Sequence, residues 1–252
     1  MRHRVGVRRA LGSAVAAGLL VAAAAAVRAD SPRPVVATGT LSVAAPKVVV
    51  IAPQRTDALA LRHAPARTTG PGMTTPGTYL AAEPDATGAF EVIERIRLTH
   101  AVSKVVLRRP VLPNLPGLQG VRPTVTTLQA QSGSQPVALP TSALGSGSTI
   151  VRLPAPARDL SLRYRLQAAT TRSTPAPIGR VLVGLAPITT GATGAVMIDV
   201  VGAGIRNLVC PQLDVTAQVC GVQRGQTWSA GPLARDQSAV IAQVDLPSPG
   251  GS

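Results

Sequence analysis

Large aromatic side chains are nearly absent from this sequence of 252 residues, in which one tryptophan, two tyrosines and one phenylalanine make up 2% of the chain. Proteins that bind single-stranded nucleic acids stack the bases on such rings, so we expect no nucleic-acid partner. Charged residues are also scarce, at 14% against roughly 25% in soluble proteins, which excludes a coiled coil. The 23 prolines argue against a helical bundle, because proline interrupts helices.

The N-terminus has the layout of a secretory signal peptide over residues 1–29. Four arginines and no acid lie within the first nine residues, and residues 10–27 are uncharged and rich in alanine, valine and leucine. Small or modest side chains then precede a cleavage site between Ala29 and Asp30. The alternative is an uncleaved anchor, but an alanine-rich stretch at the lower limit of a membrane span inserts weakly. We therefore expect a protein of the bacterial cell envelope, or a secreted one, that meets a membrane only transiently through this segment.

Cysteine and histidine are both rare. Two cysteines, Cys210 and Cys220, lie beyond the export segment, and an even count in an oxidising compartment predicts one disulfide. Their spacing is not that of a redox-active dithiol. The histidines, His3, His63 and His100, are isolated from each other and from the cysteines, so no zinc-ligand spacing exists. We expect no metal and no other cofactor.

Acidic residues are outnumbered, since the chain has 11 acids, 25 lysines and arginines and a net charge of +14. Loss of residues 1–29, with their five arginines, would lower this to +9. A basic surface attracts anions, and for an exported protein these would be anionic lipid head groups or wall polymers. A GC-rich coding sequence would also enrich arginine, without functional meaning.

Short strands separated by glycine and proline dominate the remaining sequence and predict an all-β fold. We expect an antiparallel β-sandwich at residues 90–247, with an immunoglobulin-like arrangement as one version of it. Residues 30–89 hold two short strands, 38–43 and 47–51, and a Pro/Thr/Gly-rich loop or linker over 62–88. Residues 180–188 and 195–201 predict a hairpin, residues 215–220 a further strand, and residues 248–252 a flexible tail.

Two segments show charged residues on one strand face. In residues 160–167, leucines and Tyr164 alternate with polar residues, which is typical of a half-buried antiparallel strand. Tyr164 is therefore expected in the core, with Arg163 and Arg165 on the solvent face. Residues 92–99 place Arg95 and Arg97 in the same way. These four arginines form the candidate anion-binding face.

No catalytic motif is present. The serine-rich Gly145–Ser148 segment lacks the nucleophile-elbow spacing, and Glu91 and Glu94 fall on opposite faces of a strand. We therefore expect a non-catalytic protein that acts in protein–protein or surface interaction through an unknown envelope partner. Binding of anionic lipid or wall polymer through the arginine faces is the alternative. An enzyme with an unrecognised site would need a cavity that gathers Asp199, His100 or Asp214.

Overall fold

Alternating apolar and polar residues form β-strands along most of the described chain. The computed structural model describes residues 67–85, 87–115, 117–172 and 178–247. The strands of these residues are β1 (Gly77–Pro84), β2 (Phe90–Arg108), β3 (Thr124–Ser132), β4 (Gln135–Val137), β5 (Ser148–Gln167), β6 (Thr170–Arg172), β7 (Ile178–Leu185), β8 (Ala195–Val201), β9 (Ile205–Val209), β10 (Val222–Arg224), β11 (Thr227–Leu233) and β12 (Val240–Pro247). Two 3-10 turns, Val215–Ala217 and Arg235–Gln237, are also present. In this part of the chain no helix has the length and apolar character needed to cross a membrane.

The strands form two sheets that share one apolar core. Eight strands lie in the order β10-β11-β8-β1-β2-β5-β3-β4, and four lie in the order β6-β7-β12-β9. Most neighbours are antiparallel, whereas β1 and β8 run parallel. Buried side chains from both sheets belong to one hydrophobic cluster. The all-β sandwich predicted from the sequence is thereby confirmed.

Strands β2 and β5 are the longest, with 19 and 20 residues. The sequence pattern divided each of them into two shorter segments, because the alternation breaks near Val102, where the pairing shifts register. Tyr164 lies on the inner face of β5 with no exposed surface, which confirms its predicted place in the core. The paired strands β2 and β5 form the central ribbon of the eight-stranded sheet and carry all four candidate arginines.

The structure differs from the predicted loop or linker over residues 62–88. Strand β1 lies within that range and pairs with β2 on one side and β8 on the other. Its first six residues are all buried, so neither face is polar and the period-two pattern that marks a half-exposed strand is missing. The eight-stranded sheet therefore starts before Phe90, the position predicted as its beginning.

Two further predictions from the sequence are wrong. Residues 180–188 and 195–201 do not form a hairpin, because β7 pairs with β12 and β6, whereas β8 pairs with β1 and β11 in the other sheet. The connection crosses between the sheets, and its Thr189 exchanges both backbone hydrogen bonds with Arg108 of β2. The predicted strand at 215–220 is a 3-10 turn followed by a single bridge from Val219 to Val209.

Several predictions concern residues that the structure does not describe. The signal segment 1–29 with its cleavage site at Ala29 and Asp30, the strands at 38–43 and 47–51, and the tail 248–252 all lie outside the described residues.

Candidate functional site

The four arginines predicted to form an anion-binding face lie on one surface, the outer face of the eight-stranded sheet, turned away from the apolar core. Arg95 and Arg97 come from β2, and Arg163 and Arg165 from β5. Because side chains alternate along a strand, the residues between them point into the core and are buried. The antiparallel register sets Arg163 opposite Ile93, so Arg163 and Arg95 are diagonal neighbours, whereas Arg97 and Arg165 lie at opposite ends of the row.

Carboxylates neutralise most of this positive face. Arg97 Nη1 lies 2.9 Å from Oδ1 of Asp159. Arg163 and Arg165 lie 4.0 and 3.9 Å from the carboxylate oxygens of Glu91. Arg165 also donates to the Asp85 carboxylate. Exposed ion pairs of this kind contribute little stability, but they lower the positive potential that would attract an anion.

Arg95 is the exception among the four. Its Nη1 donates to the main-chain oxygen of Arg67 at 3.4 Å and contacts Sδ of Met73. Within the described residues, the ion pairs closer than 4.0 Å do not include Arg95. The guanidinium of Arg95 is thus held by neutral groups and keeps its charge uncompensated at short range.

A groove of about 480 Å³ opens beside Arg95 and Arg97. Its other polar walls come from Gln131, Asp159 and Ser161, and the apolar side chains of Met73 and Ile93 lie on the same outer face. Arg97 Nη1 bridges the groove by donating to the main-chain oxygen of Met73 at 3.1 Å as well as to Asp159. The groove therefore offers both signs of charge, amide and hydroxyl groups, and an apolar surface.

Residues 67–75, which we call the covering segment, form one wall of this groove. Met73 packs against a small apolar cluster on the outer face that includes Tyr79 and Ile93. Gly72 has φ +75°, and a Cβ there would lie 2.2 Å from the main-chain oxygen of Arg95. Glycine is thus required where the covering segment crosses the sheet, because a side chain would push it away.

An ion pair between the partly exposed Arg67 and the buried Asp199 attaches the covering segment to the sheet. Arg67 donates from Nε and Nη2 to the two carboxylate oxygens of Asp199 on β8, at 2.7 and 3.1 Å, and Nη2 also reaches Ser229 Oγ at 3.0 Å. Tyr79 donates to Asp199 at 3.0 Å. The Asp199 side chain has no exposed surface, so its charge is balanced by Arg67 and by the hydrogen bond from Tyr79 rather than by water.

The pKa values of the groups around Asp199 reflect this arrangement. The hydrogen bond to Asp199 raises the pKa of Arg67, against the opposing effect of burial. Burial raises the pKa of Tyr79 well above its ordinary value, and the neighbouring Asp199 charge adds to the effect. Tyr79 is therefore a neutral hydrogen-bond donor, and the cluster holds the covering segment rather than supplying a proton-transfer group.

A second buried carboxyl, Glu94, lies on the inner face of β2. Its Oε2 accepts hydrogen bonds from Tyr164 Oη and from the main-chain nitrogen of Ile188, both at 3.0 Å. Oε1 has no hydrogen-bond partner among the described protein atoms. Burial raises the pKa of Glu94 to about 7, although its two hydrogen bonds act in the opposite direction. The Glu94 side chain therefore changes its charge state near neutral pH.

Arg235 lies near Glu94 at the rim of a cavity of about 250 Å³. Its Nη1 donates to Thr78 Oγ1 at 3.1 Å, whereas its buried Nη2 has no partner among the described protein atoms. Burial lowers the pKa of Arg235, and the charge of Glu94 partly offsets this. Glu94 does not line this cavity, so Glu94, Tyr164 and Arg235 form a polar network inside the sandwich rather than an open catalytic centre.

The acids and histidine that would have favoured an enzyme are not brought to one place. Asp199 is buried beneath Arg67, whereas His100 is exposed on β2 and Asp214 is exposed before the first 3-10 turn. Among the described residues, no group of three or more histidines, cysteines and acids has the geometry of a metal site.

Cys210 and Cys220 form the predicted disulfide, with their Cα atoms 5.8 Å apart. Cys210 is fully buried, and its main-chain nitrogen donates to Gln218 across the loop that the bond closes. A buried disulfide is typical of proteins that fold in an oxidising compartment, so the structure agrees with an extracytoplasmic protein in this respect.

Removing this disulfide should lower the free energy of unfolding by about 2–3 kcal/mol, because closing a loop of this size restricts the unfolded chain. The Cys210→Ser/Cys220→Ser variant and the parent protein can be compared by chemical denaturation with and without reductant. Reductant should destabilise the parent and leave the double variant unchanged. Two free thiols in protein purified without reductant would contradict the bond.

Sequence reasoning found the arginine faces and the disulfide but not the two buried carboxyls. Asp199 interrupts an apolar run in residues 195–201, and Glu94 occupies an inward position between Val92 and Ile96. A charged residue at a core position is the available signal, because it requires a partner or a shifted pKa. The partner of Asp199, Arg67, lies in a segment without a regular pattern, so the sequence could not identify it.

Comparison with known proteins assigns this chain to no family. No protein-family model matches the chain, and no curated protein matches it significantly. Among solved structures, a variant of a two-domain M1 zinc metallopeptidase bound to L-tryptophan is similar over 67% of this chain and 42% of its own, with 16% identity and a TM-score of 0.33. An M1 zinc metallopeptidase from Deinococcus radiodurans is similar over 66% and 40%, with 14% identity and a TM-score of 0.31. The chain thus spans about two fifths of each of these structures, and likeness at this level identifies no family.

Proposed function

We propose that this chain is an exported, non-catalytic β-sandwich protein of the cell envelope that acts by binding another protein. The groove beside Arg95 and Arg97 is its contact surface. The observation that carries the proposal is the composition of this groove, in which arginines, an acid, an amide, a hydroxyl and methionine line one depression on the outer face of the eight-stranded sheet. Arginine and methionine are enriched in protein–protein interfaces.

The charges of the outer face favour a protein over a uniform anionic partner for this groove. Asp159 lies against Arg97, and Glu91 lies between Arg163 and Arg165. A purely anionic polymer would meet these acids as well as the arginines. A protein surface can present complementary groups of both signs, which gives specificity at a mixed interface.

Site-specific cross-linking in the native envelope tests the proposal. A photoreactive amino acid at Ser161, in the groove, should form an adduct with a defined protein, whereas the same group at the exposed Gln223 on β10 should not. Adding Arg95→Glu should abolish most of the adduct, because it reverses the uncompensated charge on the groove wall. Arg206→Glu, a charge reversal on the other sheet, should leave the adduct in place. Equal adducts from both positions, or no protein adduct from Ser161, would contradict the proposal.

A further inference from the structure

The part of the central ribbon beyond the register shift carries a second charged surface, which we call the distal ribbon: residues 104–108 of β2 and 148–152 of β5. One of its faces is anchored in the core, where Val105, Leu107 and Val151 are at most 4% exposed. Arg108 also exchanges two backbone hydrogen bonds of 3.0 Å with Thr189. The opposite face is therefore held in a fixed shape and open to solvent.

The exposed face of the distal ribbon has three cations and no acid. Lys104, Arg108 and Arg152 are all exposed there. Within the described residues, the ion pairs closer than 4.0 Å include none of the three. This surface differs from the predicted anion-binding face, where acids lie among the arginines. The distal ribbon is thus the more strongly positive of the two surfaces.

Two features of this face are unfavourable in water. Lys104 and Arg152 lie directly opposite each other in the antiparallel register, and like charges at such positions repel. Val106 and Ile150 form the next outward-facing cross-strand pair, and they are 37% and 59% exposed although they are branched apolar residues. Both features become favourable against a surface that is anionic and has an apolar layer behind its charges.

We propose that the exposed face of the distal ribbon docks on an anionic lipid bilayer. Lys104, Arg108 and Arg152 would contact the head groups, because basic residues near an anionic membrane surface gain electrostatic energy. Val106 and Ile150, flanked by these cations, would enter the boundary between head groups and acyl chains. A soluble polyanion would satisfy the cations and leave this apolar pair in water, so the lipid surface accounts for both parts of the face. The inference goes beyond the proposed protein partner and does not depend on the groove.

Co-sedimentation with phosphatidylcholine vesicles, with and without phosphatidylglycerol, tests the docking of the purified protein. We expect binding to the vesicles that contain phosphatidylglycerol at about 0.1 M salt and a large loss at about 1 M, where the screening length falls from about 10 to about 3 Å. Lys104→Gln/Arg152→Gln should reduce binding about tenfold or more, since each basic residue contributes on the order of 1 kcal/mol at such a surface. The matched control is Arg206→Gln/Arg224→Gln, which removes the same charge from exposed positions elsewhere and should bind like the parent.

A second pair of measurements separates a bilayer from other anions. Val106→Ser/Ile150→Ser keeps every charge and should still lower binding to the anionic vesicles, because it removes the apolar contact. It should leave binding to soluble polyphosphate unchanged. Equal losses in the distal-ribbon and control charge variants would show a net-charge effect and overturn the proposal. If the serine variant binds anionic vesicles as well as the parent does, the proposal is overturned in favour of a soluble or wall-borne polyanion.

Discussion

Replacing Arg67 with methionine should lower the free energy of unfolding by about 3–5 kcal/mol, because it leaves the buried Asp199 without its charge partner. Methionine keeps an apolar stem near Tyr79, so the loss comes mainly from the charge and hydrogen bonds. The carboxylate of Asp199 has no exposed surface and receives two of its three side-chain hydrogen bonds from Arg67. The measurement is the denaturant midpoint of the parent and the variant at neutral pH.

The ion pair between Arg206 and Asp245 provides the control. Its closest N–O distance is 2.6 Å, against 2.7 Å for Arg67 and Asp199. The side chains of Arg206 and Asp245 are 58% and 18% exposed, whereas those of Arg67 and Asp199 are 31% and 0% exposed. Arg206→Met should therefore have little effect, because water screens the pair and the remaining carboxylate keeps Arg180 at 3.3 Å. Asp199→Asn introduced into the Arg67→Met variant should recover much of the lost stability. If the Arg67 and Arg206 variants lose the same stability, burial does not set the strength of these pairs.

The sequence predicted the fold class well where one face of a strand meets water. Residues 160–167 alternate cleanly because the inner side chains of β5 are buried and Arg163 and Arg165 are partly exposed. Strand β1 shows the limit of this reasoning. It lies between β2 and β8, with one face in the core and the other beneath the covering segment, so both faces are buried and alternation disappears. The composition of residues 62–88 therefore predicted a loop where the structure has the central strand β1.

The candidate site was predicted in part for a similar reason. Local alternation places Arg95 and Arg97 on the outer face, but the groove beside them also needs the covering segment and Gln131 of β3. Those contacts join residues far apart in the chain, so no local pattern contains them. The neutralising acids show the same limit, because the opposition of Glu91 and Arg165 depends on the register of two strands more than 70 positions apart. The composition determines the net charge, but it does not show which acids pair with which arginines.

Glu94 should make the protein less stable as the pH rises through neutrality. Its pKa is about 7 in the folded state against an ordinary value of 4.5, because burial penalises the charged form. The folded chain therefore holds this proton more tightly than the unfolded chain. Stability from this group is fully present below about pH 4.5 and is lost progressively up to about pH 7, by about 3 kcal/mol in total. Denaturant midpoints measured between pH 5 and 8 should show this decline.

Glu94→Gln separates this effect from other titrating groups. The amide keeps an oxygen that accepts from Tyr164 and Ile188, and it resembles the protonated acid in carrying no charge. Its stability should change little between pH 5 and 8 and should exceed that of the parent at the upper end of this range. Glu91→Gln, on the same strand but on the outer face, should keep the parent's decline, because Glu91 is partly exposed and lies beside arginines. Parallel pH profiles for the parent and Glu94→Gln would mean that the buried acid does not exchange its proton in this range.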